Sequence, residues 1–334
     1  MFHDAVITIG KGKVHVHRGT IVFRDESGHK IDINLASIDG LIIISSGISI
    51  TSKAVRQILR ANVDIVFLRS DGFPAAILTK PIISANAIRT RKQFESTHGG
   101  IGLQIASAIV YSKITCMTHH IRYYMRKLSD EILRDTYYML NDQLNTLVDI
   151  SSDNMEEHRH RLQKIDRVAE EIYWSGITRV LPEHIHFTGR KIFSRDKFNI
   201  GMDYVYGQLV AYILRLLLRQ GLDPYMGYVY SLVYGEPMLL YDLVEMFRIS
   251  CVDYPYIKAL RSGFDIEIND QGYIVYSDRV KLMKLFKDNL RRKVFYNGNP
   301  TRLGIVIRKI IYDLEKSVME NKVFNEFIDR FKPT

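Results

Sequence analysis

The strongest constraint on the fold of this chain is a change of rhythm near residue 80. Before it, β-branched residues come in short runs: Val6, Ile7 and Ile9, then Val14, Val16, Ile21, Val22 and Phe23, broken by Gly10, Gly12 and Gly19. Runs of this length with such breaks predict strands and tight turns. Residues 31–35 and 40–50 continue in the same style, 52–61 switches to helical spacing through Val55, Ile58 and Leu59, and 63–68 and 75–79 return to strand around the Asp71-Gly72 turn signal. Beyond Ala85, helical patterns run over 103–128, 130–147, 159–177 and 202–220 with few prolines or glycines; the last is closed by Gly221 and Pro224. The pattern predicts an α+β protein. A β-rich, sandwich-like domain with one short helix is expected over 1–80, a linker with a first basic segment over 81–99, and a larger all-α domain over 100–330. The length of 334 residues agrees, because one core seldom serves so many.

Lysine and arginine outnumber aspartate and glutamate by 46 to 37, a net charge of +9 that favours a polyanionic partner. Cys116 and Cys251 show no CxxC spacing, so a reducing cytoplasm fits and zinc does not. The start, MFHDAVITIGKGKV, has none of the regions of a signal peptide. The most apolar stretch, 209–218, is too short to span a bilayer and carries Arg215, which predicts a buried helix and no membrane association.

Two acidic helices carry the chemistry. In LLYDLVEMFR, Asp242 and Glu245 lie three apart, one turn along one helix face, where two carboxylates can converge on a divalent cation; on spacing alone a solvated face with Glu245 paired to Arg248 is the plainer explanation. In RLQKIDRVAEEIYWSGI, Leu162, Ile165, Ala169 and Ile172 form the inward stripe, and Asp166, Glu170 and Tyr173 line the adjacent face. A local salt bridge from Asp166 to Lys164 or Arg167 explains that placement as well.

The segment DRVAEEIYW resembles a family signature in which a glutamate precedes an alanine-rich turn and a tyrosine seven residues later, with Asp166 at the glutamate position. DKFNIGMDYVYGQL is similar to the Asn-rich opening of the family's next helix, and GLDPYMGYVY to a Gly-Leu-Asp-Pro run that ends in histidine, here Tyr230. YDLVEMFR resembles the family's Asp-Leu-Met-Glu segment, while GISITSKAVRQIL, VDIVFLRSDG and RKQFESTHGGIGLQIASAIVYSKI resemble its β-domain helix and strand and its first catalytic-domain helices. The family is the CRISPR-associated endonuclease and integrase that acquires spacers.

The resemblance implies a β domain that dimerises, a helical catalytic domain, Mg²⁺ or Mn²⁺ as cofactor, and attack of a DNA 3′-hydroxyl on a phosphodiester. It implies a homodimer, a small second CRISPR adaptation protein as partner, and double-stranded, branched or 3′-ended DNA as substrate. Carried over residue by residue, Asp166, Asp242 and Glu245 are the catalytic candidates, and Asp166, Tyr230 and Glu245 the metal positions, Tyr230 by position only. Aspartate for glutamate shortens a ligand by one methylene. Tyrosine for histidine is harsher, since a phenol stays protonated near neutrality and is a poor ligand beside imidazole. His158 and His160 are the nearest replacements in sequence. A covalent role for Tyr230 lacks the local arginines and base such chemistry needs. The alternative reading is therefore a catalytically impaired, DNA-binding structural paralogue.

Basic residues mark the expected phosphate contacts. Residues 279–296 predict a helix that carries Lys284, Lys287, Arg291 and Arg292 outward and Val280, Met283, Leu290 and Val294 inward. Arg89, Arg91 and Lys92 follow the β domain, and Arg190, Lys191 and Arg195 lie in the irregular stretch 180–199. The sparse aromatics among them point to backbone tracking, not base reading. The pairs His15/His17, His119/His120 and His184/His186 are read as surface or strand residues.

Overall fold

The computed structural model describes residues 3–7, 12–44, 47–80, 86–150, 154–191, 194–230 and 233–331. The first 80 residues supply β1 (His3–Ile7), β2 (Gly12–His17), β3 (Thr20–Asp25), β4 (Lys30–Ile33), β5 (Ile38–Ile43), β6 (Ile48–Ile50), α1 (Ser52–Arg60), β7 (Asp64–Leu68) and β8 (Pro74–Leu78). They form two four-stranded sheets, in the orders β1-β5-β7-β8 and β4-β3-β2-β6. In the first, β5 pairs parallel with both β1 and β7, and β8 closes the edge antiparallel.

Alternation along β5 and β7 assigns each face of that sheet. Leu41, Ile43 and Ile65 join Val14, Ile21, Phe23 and Ile33 of the second sheet in one core, while Ile42, Ile44, Val66 and Leu68 belong to the core of the helices. The register Leu41↔Ile65 and Ile42↔Val66 keeps like faces together. A slip of one residue would turn both apolar sets to the wrong side.

The helical part comprises α2 (Asn86–Ser96), α3 (Gly100–Leu128), α4 (Glu131–Val148), α5 (Met155–Val180), α6 (Lys197–Gln220), α7 (Met238–Arg248), α8 (Tyr254–Arg261), α9 (Tyr276–Arg291) and α10 (Leu303–Glu320). Residues 81–85 of the expected linker lie outside the described residues, and α2 occupies most of the rest. Helix α5 is capped by Asn154, whose side chain accepts from the N–H groups of Glu156 and Glu157, and α6 ends at Gly221 with φ of 72°. Helix α3 is long and apolar enough to cross a bilayer, but 67% of its most apolar window is buried inside the protein, against α4, α5 and α7.

One expected helix is shorter than read. The run 279–296 is helical only to Arg291; Lys293–Tyr296 is β9, paired antiparallel with β10 (Asn299–Arg302), so the helical domain carries a hairpin. The reason lies in Asn297-Gly298, both with positive φ of 48° and 77°, a turn that favours two flanking strands over one more helical turn. Val294 is buried as expected, from a strand instead of a helix.

Candidate active site

Three helices and one loop meet around a buried ammonium. Asp166 and Glu170 stand one turn apart on α5, Glu245 and Arg248 one turn apart on α7, and Lys113 reaches in from the middle of α3. Lys113 Nζ lies 2.9 Å from Asp166 Oδ1, 3.0 Å from Glu170 Oε2 and 3.0 Å from Glu245 Oε2. Burial opposes this charge, but the carboxylates of Asp166, Glu170 and Glu245 outweigh it and hold the lysine pKa well above its ordinary value.

Arg248 forms a second cationic layer. Its Nη1 is 2.7 Å from Glu170 Oε1, its Nη2 donates to Glu170 Oε2 at 2.9 Å, and its Nη1 is 3.3 Å from Glu245 Oε2. Trp174 Nε1 also donates to Glu170, at 2.5 Å, and Tyr206 Oη donates to Glu245 at 3.3 Å. Against the desolvation that raises it, Arg248 and Lys113 push the Glu170 carboxyl far below the usual range, and Glu245 shifts down for the same reasons. Behind them a π turn, Ile249–Asp253, brings the fully buried Asp253 to 3.5 Å from Arg248 Nε; burial lifts its carboxyl to about 6, against the pull of Arg248.

Tyr230 reaches the cluster as a proton donor. Its hydroxyl donates to Asp166 Oδ2 at 3.1 Å, and burial followed by the Asp166 charge pushes the phenol well above its ordinary pKa. Asp242 faces elsewhere. Its Oδ2 accepts from the backbone N–H groups of Tyr228 and Val229 at 2.6 and 3.1 Å, and burial, opposed by those bonds, raises the carboxyl to about 7. Arg159 Nε donates to Tyr228 O at 2.9 Å from the other side, so Asp242 and Arg159 together pin the loop that presents Tyr230.

Of the positions expected from the sequence, Asp166, Tyr230 and Glu245 therefore converge, and Asp242 positions the loop between them. Lys113, Glu170, Arg248 and Tyr206 were not among the site candidates. Lys113 had a signal: it is the one lysine, arginine or acid between Gly100 and Ile121. His158 does not replace the missing imidazole, since its Nε2 bonds to Ser107 Oγ at 2.8 Å, and His160 is exposed. His120 is buried among Tyr124, Tyr173, Tyr254 and Phe331 and held neutral by burial, with a pKa of about 3.

The basic candidates divide. Arg190 donates to Asn199 at 3.0 Å and to Asp203 at 2.5 Å, Arg89 to Glu315 at 2.9 Å, Lys92 to Met319 O at 2.5 Å, and Arg292 chelates Asp329 and stacks on Tyr254, so these four knit the fold. Arg91, Lys191, Arg195, Lys284 and Arg291 are exposed, and Lys287 is half-buried.

Sequence and structure comparisons bear on the same centre. The family described as "CRISPR associated protein Cas1" matches residues 6–293, which include every member of the cluster. The chain belongs to the Cas1 family. Among its relatives is "CRISPR-associated endonuclease Cas1 2" of Saccharolobus solfataricus, 27% identical over 316 residues and matched over 94% of each chain. The fold is similar to that of a "Casposase bound to integration product", with a TM-score of 0.80 at 22% identity over 99% of this chain and 93% of that one. It is similar too to part of a "Cas6-RT-Cas1--Cas2 complex", with a TM-score of 0.76 at 16% identity over 99% of this chain and 36% of that chain. The chain thus joins a family of DNA endonucleases and integrases, with an α+β architecture.

The residues at this centre do not, as they stand, fit the divalent metal the family implies. The point where Asp166, Glu170 and Glu245 converge holds Lys113 Nζ, at the 2.9–3.0 Å spacing of charge-assisted hydrogen bonds. Magnesium would need oxygens at about 2.0–2.1 Å in near-octahedral array. Keeping both cations within about 4 Å would cost on the order of 8 kcal/mol of repulsion even at an effective dielectric near 20. Tyr230, where the resemblance implies a histidine, spends its phenol proton on Asp166. No group of three or more His, Cys, Asp or Glu side chains suited to a metal occurs among the described residues.

Proposed function

We propose that this member of the Cas1 family serves CRISPR spacer acquisition as a DNA-binding, structural part of the adaptation machinery, with its own lysine closing the acidic centre. The observation that carries the reading is Lys113 bonded at once to Asp166, Glu170 and Glu245. In this reading the β domains join two copies, the exposed bases Arg91, Lys191, Arg195, Lys284 and Arg291 meet phosphates of duplex, branched or 3′-ended DNA, and a small second adaptation protein completes the assembly. The similarity to a complex that contains Cas1 and Cas2 supports that partner, and the cytoplasm is where such DNA is handled.

A second reading has one observation in its favour: three carboxylates from two helices still converge on one cation. It makes the chain a metal-dependent endonuclease and integrase that uses Mg²⁺ or Mn²⁺, with Asp166 and Glu245 as ligands, Asp242 as orienting group, and a DNA 3′-hydroxyl attacking a phosphodiester. It requires Lys113 to leave.

Incubating the protein with branched or 3′-ended duplex and Mn²⁺ or Mg²⁺, beside Asp166→Ala and Glu245→Ala, decides between them. The structural reading expects salt-sensitive binding and no strand transfer. Products formed by the unaltered protein and lost in both variants would establish the second reading. Absence of DNA binding at low salt would sink both.

A further inference from the structure

The acidic centre has more carboxylate than a structural salt bridge needs, and its charge count says what the excess is for. Asp166, Glu170 and Glu245 bring three negative charges and Lys113 and Arg248 return two positive ones, a remainder of one negative charge, to which Asp253 behind Arg248 adds a second where it is ionised. Three carboxylates aimed at one point are a set of hard oxygen donors for a cation. Arg248 approaches from one side and shares Glu170 Oε2 and Glu245 Oε2 with the lysine, so Lys113 is the cation that also reaches Asp166 and spans all three carboxylates.

We propose that Lys113 is the resident cation of a converted metal site: its ammonium does for Asp166, Glu170 and Glu245 what a divalent ion would do, and removing that one charge reopens the site to Mn²⁺. The inference rests on the reading that the centre is closed. It adds that Glu170 is part of the reopened donor set with Asp166 and Glu245. Without the lysine charge the same groups sum to two negative charges, or three where Asp253 is ionised, a deficit that one divalent ion offsets. With the lysine charge, a divalent ion must displace an ammonium paired to all three carboxylates. Arginine at 113 retains the cation, so Lys113→Arg keeps the site closed; methionine keeps the length of the side chain and loses the charge.

The test measures metal binding, without DNA. Mn²⁺ is titrated into the full-length protein and free ion is followed by electron paramagnetic resonance. The unaltered protein and Lys113→Arg are expected to show no saturable site, whereas Lys113→Met takes up one Mn²⁺ per chain, at least about 100-fold tighter, and adding Glu245→Gln or Glu170→Gln to it weakens uptake at least about tenfold. Because Lys113→Met takes away the ammonium that the three carboxylates share, its melting temperature is expected to fall, and Mn²⁺ is expected to raise it again while leaving the unaltered protein unmoved. The proposal is overturned if the unaltered protein holds one Mn²⁺ that Glu245→Gln abolishes, a measurement that does not depend on how Lys113→Met folds. Folded Lys113→Met that takes up no Mn²⁺ overturns it equally. DNA binding is scored separately, so loss of the functional reading and loss of this one appear in different experiments.

Discussion

Asp242, a catalytic candidate on the sequence, spends its Oδ2 on the backbone of the loop that presents Tyr230. Burial lifts its carboxyl to about 7 from an ordinary 3.8, in opposition to the two backbone N–H bonds it accepts. A carboxyl whose folded pKa is raised binds its proton more tightly in the native state, so the stability it contributes is fully present below about pH 4 and is lost as pH climbs toward 7. Asp242→Asn keeps an oxygen for the Tyr228 and Val229 N–H groups and carries no charge. Its stability should therefore gain on the unaltered protein between about pH 4 and 7, by on the order of a few kcal/mol, and the gap should level above that. Urea unfolding of both proteins across this range checks it; a gap that does not change with pH would mean that Asp242 is ionised in the fold. The same residue marks what the sequence carries. Asp166, Tyr230 and Glu245 could be placed together because each lies in a recognisable motif. Lys113 could not, because its partner Asp166 is 53 positions away and a lone charge in an apolar helix tells only that a partner exists.

At the scale of elements, periodicity reads well where one neighbour decides the structure and fails where a turn does. The alternation of Leu41, Ile42, Ile43 and Ile44 between two cores is written in the sequence as an unbroken apolar run, the mark of a strand buried on both faces. The end of α9 is not, since Leu290 and Val294 keep helical spacing across a boundary that Asn297-Gly298 imposes from downstream. The join between α6 and the β7–β8 turn was equally hidden. Gly207 of α6 faces Gly72, whose φ is +88°, so closely that a Cβ on Gly207 would lie 2.5 Å from Gly72 C and O and 2.7 Å from Phe73 N. Those are backbone atoms and cannot rotate aside. Gly207→Ala should destabilise the protein by about 1–3 kcal/mol by pushing the turn off the helix, while Gly100→Ala, with nothing within 4 Å of its Cβ, should not. Denaturant midpoints of the two variants make the comparison, and equal midpoints would mean that the sheet and α6 separate without cost.

For the whole molecule, a net charge of +9 foretells a polyanion without saying which bases touch it. Composition treats Arg291 and Arg292 alike, and the fold separates them. Arg292 is turned inward, paired with Asp329 and stacked on Tyr254 and Phe331, while Arg291 stays exposed beside Asp288 at 3.4 Å. Lys284, two turns earlier on α9, is exposed as well. An exposed base that meets a phosphate releases a counterion, and each such contact contributes about 0.9 to the slope of log affinity against log salt. Lys284→Ala with Arg291→Ala should thus lower duplex affinity alike for every sequence and flatten the slope by up to about 2, with the melting temperature unchanged. Arg292→Ala should do the reverse. It strands the nearly buried Asp329 carboxylate, costs on the order of 3 kcal/mol of stability, and leaves the slope of the folded fraction as it was. Anisotropy titrations of labelled duplex at several salt concentrations, paired with melting curves, separate the two effects. If the double variant on α9 keeps the full slope, that helix lies outside the DNA footprint, and Arg91, Lys191 and Arg195 must carry the contacts.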